Sequence, residues 1–230
     1  MSPYAIPLIL LGYLLGSIPT AYLAGRWLKG VDLRRHGSGT VSGSMVWEHV
    51  ARWAILPVGI FDLAKAAFPA WLGLQLDLGV AASATAGLAA VAGHNWPIFF
   101  GFTGGRGLSP FLGLLLVLFP WGFPWMLVFL AIGWQLGDSA PWALAAMITL
   151  PLFAQLLGGP AIVITLVSAG MLLLTLAKRL QANGRPLPAT DPERKTVILR
   201  RLFLDRDIQS HSDWIQRRPD EPTSRQSETG

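Results

Sequence analysis

The sequence predicts an all-α integral membrane protein, a bundle of about seven transmembrane helices with cytoplasmic glycine-rich loops. Hydrophobic residues make up 52% of the 230-residue chain and charged residues only 13%, whereas soluble domains carry about 25% charged residues. The charge is also concentrated at one end, because the last 53 residues hold 19 of the 31 Asp, Glu, Lys and Arg residues. A membrane-embedded body followed by a polar tail accounts for both observations.

Apolar stretches that are candidates for membrane helices recur along the first 177 residues. About 20 apolar residues in a helix cross the hydrocarbon core of a bilayer. The N-terminal stretch is assigned as a span rather than a secretory signal, because it lacks a basic segment and an evident cleavage site. Pro and Gly in FPWGFPW (119–125) separate two helices in a hairpin. The candidate spans are Ile6–Leu28, His49–Leu74, Val80–Phe99, Leu108–Pro120, Trp125–Leu136, Trp142–Leu157 and Ala161–Ala177.

The basic residues in the loops predict the orientation in the membrane. With seven spans, loops 26–37 and 101–107 and the tail share one face, which holds every Lys and Arg except Arg52 and Lys65. The positive-inside rule assigns such a face to the cytoplasm, so the N-terminus is expected outside and the C-terminus in the cytoplasm. Six spans would move the basic tail to the opposite face, which fits the rule less well.

Two charged residues, Asp62 and Lys65, lie within the second candidate span. They are three positions apart and therefore share one helical face. They form a neutralising pair, or the lysine reaches toward the interface, or both belong to a polar site near the cytoplasmic half. Because charges inside a membrane are costly without a use, the sequence favours the polar site and leaves the other interpretation open.

Two glycine-bearing polar segments flank the second and third spans, DLRRHGSGTVSGS (32–44) and GFTGGRG (101–107). Consecutive glycines permit turns in which several backbone N–H groups converge on an anion. Arg34, Arg35 and Arg106 add charge that suits a phosphate, and the serine and threonine hydroxyls of the first segment add donors. Close helix packing is the alternative explanation for such glycines, and a structural hydrogen bond is the alternative for His94.

These segments resemble the bacterial acyl-phosphate:glycerol-3-phosphate acyltransferases of the PlsY family. The resemblance rests on GSIPTAYLAGRWLKGVDLRRHGSGT (16–40) and GHNWPIFFGFTGGRG (93–107), which are similar to that family's first-helix signature and its two glycine loops. It implies a cytoplasm-facing site in a seven-span bundle of the bacterial inner membrane. The implied reaction moves a fatty acyl group from acyl phosphate to the 1-hydroxyl of glycerol 3-phosphate and gives lysophosphatidic acid.

The resemblance also implies partners and site residues. The partners are acyl phosphate, glycerol 3-phosphate and membrane lipids, with no cofactor, no metal and no nucleic acid. Because an acyl phosphate is already activated, positioning and oxyanion stabilisation could supply most of the rate acceleration. Ser38 and His94 are the catalytic candidates. The expected substrate-binding residues are Gly37, Gly39, Thr40, Ser44, Lys65, Gly104, Gly105, Arg106, Gly107 and Ser139.

The chain also departs from the family pattern. Thr40 and Met45 replace two loop asparagines, Glu48 replaces an arginine, and Arg106 replaces the usual lysine. The family's third signature, around H-R-E-N after the last span, is not visible. A diverged, non-catalytic protein that binds a phospholipid or phosphorylated ligand is therefore a second hypothesis. A small transporter is a third, although the chain lacks the paired interrupted segments common in transporters.

The polar C-terminal tail is expected to be a separate part of the chain. We assign residues 1–180 to an acyltransferase-like membrane domain and residues 181–230 to a basic cytoplasmic tail. Apolar residues of TVILRRLFLDRDI (196–208) lie partly on one helical face, which predicts one short amphipathic helix. This helix is expected to lie on the membrane surface or to pack against the loops. The Pro, Glu, Ser and Thr content after Arg218 predicts a disordered end.

Overall fold

The computed structural model describes residues 3–35, 40–210 and 213–214, and all regular structure in these ranges is helical. Ten α-helices are present among the described residues, together with four short 3-10 turns. The helices are α1 Ala5–Gly16, α2 Thr20–Lys29, α3 Gly43–His49, α4 Ile55–Gln75, α5 Val80–Asn95, α6 Leu108–Leu118, α7 Gly122–Gln135, α8 Ser139–Leu156, α9 Ala161–Gln181 and α10 Asp191–Leu204.

The first predicted span is broken rather than continuous. α1 ends at Gly16 and α2 begins at Thr20, with Ser17, Ile18 and Pro19 between them. Proline has no backbone N–H and its ring clashes with the preceding turn, so a helix cannot continue unperturbed through this position. The break leaves the Ile18 carbonyl without its usual helical partner, and the functional site uses this carbonyl.

The remaining predicted spans correspond to α4–α9, with shifted ends. The second span begins at Ile55 rather than His49, because residues 49–54 complete α3 and a 3-10 turn. Four described segments are long and apolar enough to cross a membrane, and α6 and α7 are shorter apolar helices. These four are Ala5–Lys29, Arg52–Gln75, Ser139–Leu156 and Ala161–Gly184. The expected seven spans therefore include helices shorter than a typical bilayer crossing.

Glycines let α1 and α5 approach each other closely. A β-carbon placed on Gly16 would lie 2.7 Å from the carbonyl carbon of Ala90, and one on Gly12 would lie 3.1 Å from that of Ala86. The spacing of these glycines is the small-residue pattern that brings membrane helices into backbone contact. The contact holds the end of α1, where the break begins, against the end of α5, where His94 lies.

Two apolar cores hold the elements in place. The larger one joins α4–α9 around the fully buried Phe111, Met126, Met147 and Met171. The smaller one packs Leu33, Val41 and Val46 under α2 and α4 and so fixes both ends of the first glycine-bearing segment. α10 packs against α8 and α9. Whether this helix also lies on the membrane surface or against the loops, as the sequence suggested, stays a prediction. The expected disordered end after Arg218 lies outside the described residues.

Candidate active site

A buried polar cluster forms where the broken span meets α4. The Lys65 ammonium lies 2.6 Å from Asp62 Oδ1 and donates to the Ile18 carbonyl at 2.5 Å and to Thr20 Oγ1 at 3.0 Å. The Thr20 hydroxyl donates to Asp62 Oδ1 at 2.5 Å. Asp62 and Lys65 are both almost completely buried. The two charges therefore neutralise each other, as one sequence interpretation had it, and the broken span supplies the remaining polar partners.

His94 joins this cluster to the second glycine segment. Its Nδ1 atom lies 3.6 Å from Asp62 Oδ1. On its other side the ring packs against Gly105, where an added β-carbon would lie 3.0 Å from His94 Cδ2 and closer still to Nε2. The Gly105 amide donates to the His94 carbonyl at 3.1 Å. A β-carbon on Gly105 would also lie 2.9 Å from the carbonyl oxygen of Val41, so the two glycine-bearing segments meet at His94.

Arg106 extends from the second glycine segment toward the C-terminal tail. Its Nε atom lies 2.9 Å from Asp205 Oδ2, and its Nη1 group donates to the Lys178 carbonyl at 3.3 Å. Gly107 follows with a φ of +76° and caps the start of α6. This left-handed conformation is one that glycine adopts without steric cost, so the chain can turn sharply from the loop into the membrane.

A single cavity of about 680 Å³ lies beside these groups. Six of the residues predicted for the site line it: Thr40, Ser44, His94, Arg106, Gly107 and Ser139. Gly104 and Gly105 instead line a small adjoining cleft that also contains His94. Lys65 is not among the lining residues and contacts the cavity wall through Asp62. Gly37, Ser38 and Gly39 lie outside the described residues, so their predicted roles remain predictions.

The cavity is lined by both apolar and charged side chains. The apolar lining includes Ile55, Val58, Leu108, Leu112, Leu130 and Trp134 from α4, α6 and α7. The charged lining consists of Asp62, Arg106, Asp138, Arg179, Asp205 and Arg206. A cavity of this kind suits an amphipathic ligand, with an acyl chain against the apolar side chains and a phosphate against the guanidinium groups.

Arg34 was a candidate for phosphate binding. It is instead bound by Asp32 and two aromatic rings. Its guanidinium is 2.7 Å from Asp32 and lies over the rings of Tyr22 and Phe100 at 5.3 and 4.5 Å. The hydrogen bond from Arg34 lowers the pKa of the Asp32 carboxyl below its usual value, against the opposing effect of partial burial. Arg34 does not line the cavity and instead ties the first segment to the 3-10 turn before the second.

Several residues of the site had not been singled out from sequence. Thr20 lies within the quoted first-helix motif but was assigned no role. Asp138 was noted only as a neighbour of Ser139, and it caps α8 and pairs with Arg206 at 2.8 Å. Asp205 and Arg206 lie in the tail, where no local pattern distinguishes them from other charged residues.

Known proteins to which this chain is similar in sequence are described as glycerol-3-phosphate acyltransferases. Residues 6–185 match the family described as glycerol-3-phosphate acyltransferase. Glycerol-3-phosphate acyltransferase 4 of Dehalococcoides mccartyi (strain CBDB1) is 37% identical over 229 residues, which cover 94% of this chain and 95% of the relative. The enzyme of the same name from Synechococcus sp. (strain CC9902) is 37% identical over 186 residues, covering 80% of this chain and 92% of the relative.

Solved structures give the same result. The crystal structure of PlsY (YgiH), an integral membrane glycerol 3-phosphate acyltransferase, in its glycerol 3-phosphate form superposes with a TM-score of 0.66. It is 29% identical and covers 82% of this chain and 97% of the solved chain. The lysophosphatidic acid form of the same protein gives a TM-score of 0.63 at 27% identity, covering 80% and 95% of the two chains.

Proposed function

The chain belongs to the glycerol-3-phosphate acyltransferase family, and from this premise we propose that it is a membrane acyltransferase of phospholipid synthesis. The proposed reaction transfers a fatty acyl group from acyl phosphate to the 1-hydroxyl of glycerol 3-phosphate. The hydroxyl oxygen attacks the acyl carbon, an ester bond forms, and the bond to the phosphate oxygen breaks. The products are lysophosphatidic acid and inorganic phosphate. A base in the site, assigned below, accepts the hydroxyl proton during the attack.

The observation that supports this proposal is that one cavity is lined both by apolar side chains and by guanidinium groups. Leu112, Leu130 and Trp134 offer a surface for an acyl chain, and Arg106 offers donors for a phosphate in the same cavity. At about 680 Å³ the cavity falls in the usual range for small-molecule sites, roughly 300–1,000 Å³.

Arg106 and Gly107, which line the cavity, are assigned to phosphate binding, whereas the Gly105 amide already donates to the His94 carbonyl. Arg106 Nη2 makes no hydrogen bond among the described residues; one of its N–H groups lies on the Nε edge beside Asp205, and the other is available to a phosphate oxygen. Thr40 and Ser44 line the same cavity and would donate hydroxyl hydrogen bonds. The Lys65 ammonium already contacts Ile18, Thr20 and Asp62, so we assign it to the site as a support for Asp62.

His94 is assigned to proton transfer from the acceptor hydroxyl. Its Nδ1 atom faces the Asp62 carboxylate at 3.6 Å, which favours the tautomer with the proton on Nδ1. Nε2 is then the nitrogen able to accept a proton. The Asp62 carboxylate, which pairs with Lys65 at 2.6 Å, would stabilise the imidazolium that forms. Ser38 remains a predicted partner for the phosphate or the developing oxyanion.

We also propose how the chain is oriented in the membrane and where its membrane domain ends. The cavity and the glycine segments would face the cytoplasm of a bacterial inner membrane, with the N-terminus outside and the C-terminal tail inside. Residues 1–180 would form the membrane domain and residues 181–230 the tail. Cysteines introduced at the exposed positions Leu76 and Gln209 should react oppositely with a membrane-impermeant reagent applied to intact cells. Labelling of position 209 and protection of position 76 would reverse the assignment.

A direct assay tests the proposed reaction. Purified protein receives acyl phosphate and labelled glycerol 3-phosphate, and lysophosphatidic acid is measured beside the His94→Ala variant. We expect product from the wild type and at least about a hundredfold less from the variant, because general-base catalysis contributes roughly 10²–10⁴-fold. Binding of glycerol 3-phosphate without any product, under conditions in which a family relative is active, would instead identify a non-catalytic binder.

A further inference from the structure

The segment that follows α10 forms part of the cavity wall. Leu204, Asp205 and Arg206 line the cavity, although they lie beyond residue 185, where the match to the family ends. Neither the sequence motifs nor the family match assigns these residues a role. Their position raises the question of what a tail carboxylate does beside the arginine assigned to phosphate binding.

Buried arginines fix this segment to the membrane domain. Arg201 is only 2% exposed and donates to the carbonyls of Leu180 and Arg185, at 3.1 Å each. Arg179 donates to the Leu202 carbonyl at 2.6 Å and to the Ala140 carbonyl at 2.9 Å. These bonds join the end of α10 to the end of α9 and the start of α8. The segment after α10 is therefore held in place beside the cavity.

Asp205 lies at the point where α10 ends, in a left-handed conformation with a φ of 58°. Residues other than glycine rarely adopt this conformation, although aspartate is one of those that tolerate it. One carboxylate oxygen lies 2.9 Å from Arg106 Nε, and the other lies 3.9 Å from Arg179 Nε. The carboxylate therefore holds two guanidinium groups of the cavity wall near each other in spite of their mutual repulsion.

The contact leaves one edge of Arg106 available. Asp205 faces Nε and the Lys178 carbonyl accepts from Nη1, whereas Nη2 has no acceptor among the described residues. The contact at Nε is an ion pair without hydrogen-bond geometry, and the hydrogen bond from Nη1 anchors the other end, so the two contacts together orient the planar guanidinium. The Nη2 N–H that points away from Nε can donate to a phosphate while the carboxylate stays beside Nε, and Asp205 therefore acts as an orienting group rather than as a competitor.

We propose that Asp205 is a positioning residue for phosphate binding, by which the tail orients Arg106 in the acyl-transfer site. The proposal rests on the proposed function for its substrate, glycerol 3-phosphate. Asp205 acts through Arg106 and does not contact the reacting atoms, so its loss should weaken substrate binding more than it slows the reaction. The tail thereby contributes to the affinity for the phosphorylated acceptor.

The experiment compares Asp205→Asn with Asp207→Asn. Asp207 lies two residues further on, pairs with Arg201 at 2.6 Å and does not line the cavity, so its variant tests tail docking alone. We expect Asp205→Asn to raise KM for glycerol 3-phosphate about tenfold with kcat changed less than about twofold, as for an interaction that serves binding. Asp207→Asn should leave KM within about twofold of the wild type.

A second comparison tests whether the effect passes through Arg106. In an Arg106→Gln background, Asp205→Asn should change KM by less than about twofold, because residues that act through one another are not additive. An unchanged or lowered KM in Asp205→Asn, an equal rise in Asp207→Asn, or full additivity with Arg106→Gln would each overturn the proposal.

A binding measurement separates this proposal from the proposed function. Equilibrium binding of labelled glycerol 3-phosphate to the purified full-length variants needs no acyl donor and no turnover. Tenfold weaker binding by Asp205→Asn alone supports the positioning role even if no lysophosphatidic acid is formed. Thermal unfolding of each variant identifies any that fails to fold, and Asp205→Glu, which keeps the carboxylate, should then recover part of the affinity.

Discussion

The contact between Gly105 and the His94 ring allows a small change at one glycine to test the proposed role of the imidazole. In Gly105→Ala, the new methyl group would lie 3.0 Å from His94 Cδ2, closer to Nε2, and 2.9 Å from the Val41 carbonyl oxygen. Carbon atoms in contact prefer about 3.5–4.0 Å, so the imidazole must move by about 1 Å. A displacement of that size costs about 10²-fold in rate, or about 2.7 kcal/mol of activation free energy.

The assay is kcat for lysophosphatidic acid formation, measured together with the midpoint of thermal unfolding. Gly101→Ala is the matched control, because it makes the same change in the same loop and nothing lies within 4 Å of the added methyl group. Its φ of +59° adds some backbone strain, so it also reports the cost of distorting the loop. A Gly105→Ala enzyme with near wild-type kcat, or an equal loss in Gly101→Ala, would refute the reasoning.

Three further predictions concern packing, charge pairing and phosphate binding. Gly16→Ala should lower stability by about 1–3 kcal/mol in thermal unfolding, because the methyl group meets backbone that cannot rotate away. Lys65→Met should cost about 3–5 kcal/mol by leaving Asp62 buried and unpaired, and adding Asp62→Asn should recover much of the loss. Arg106→Gln should raise KM for glycerol 3-phosphate by about tenfold or more, while Arg34→Gln, outside the cavity, should leave KM nearly unchanged. Equal KM values for these two arginine variants would contradict the assignment of Arg106.

The sequence predicted individual site residues and local pairs better than contacts between distant parts of the chain. Asp62 and Lys65 were placed on one helical face by their spacing alone, and the structure joins them at 2.6 Å. Backbone geometry determines such a pair, because residues three apart in a helix are always neighbours. The break at Pro19 follows from equally local chemistry, but the apolar run around it favoured a continuous helix.

Contacts between distant parts of the chain could not be predicted in this way. Asp205 and Arg106 are almost 100 residues apart, and nothing in the sequence around Asp205 distinguishes it from the other tail carboxylates. Arg34 shows the opposite case, in which a partner two residues away, Asp32, removes a plausible phosphate ligand from the site. Its stacking on Phe100 depends on how two loops meet, which is a property of the fold rather than of either loop.

The balance of charge around the cavity has a consequence for how a phosphate is recognised. Three guanidinium groups and three carboxylates line its described part: Arg106, Arg179, Arg206, Asp62, Asp138 and Asp205. These charges nearly cancel, so the cavity attracts a dianion weakly over long distances. Binding must depend mainly on short-range donors such as Arg106 Nη2.

Short-range donors in a partly enclosed site are screened little by salt, whereas long-range attraction is largely lost beyond a Debye length of about 8–10 Å near physiological ionic strength. We therefore expect KM for glycerol 3-phosphate to rise less than about threefold between roughly 50 and 500 mM salt. Steady-state kinetics across this range, with osmolarity held constant, provide the measurement. A rise of more than about tenfold would mean that net positive charge draws the substrate in, and that the paired carboxylates do not neutralise the site as the geometry indicates.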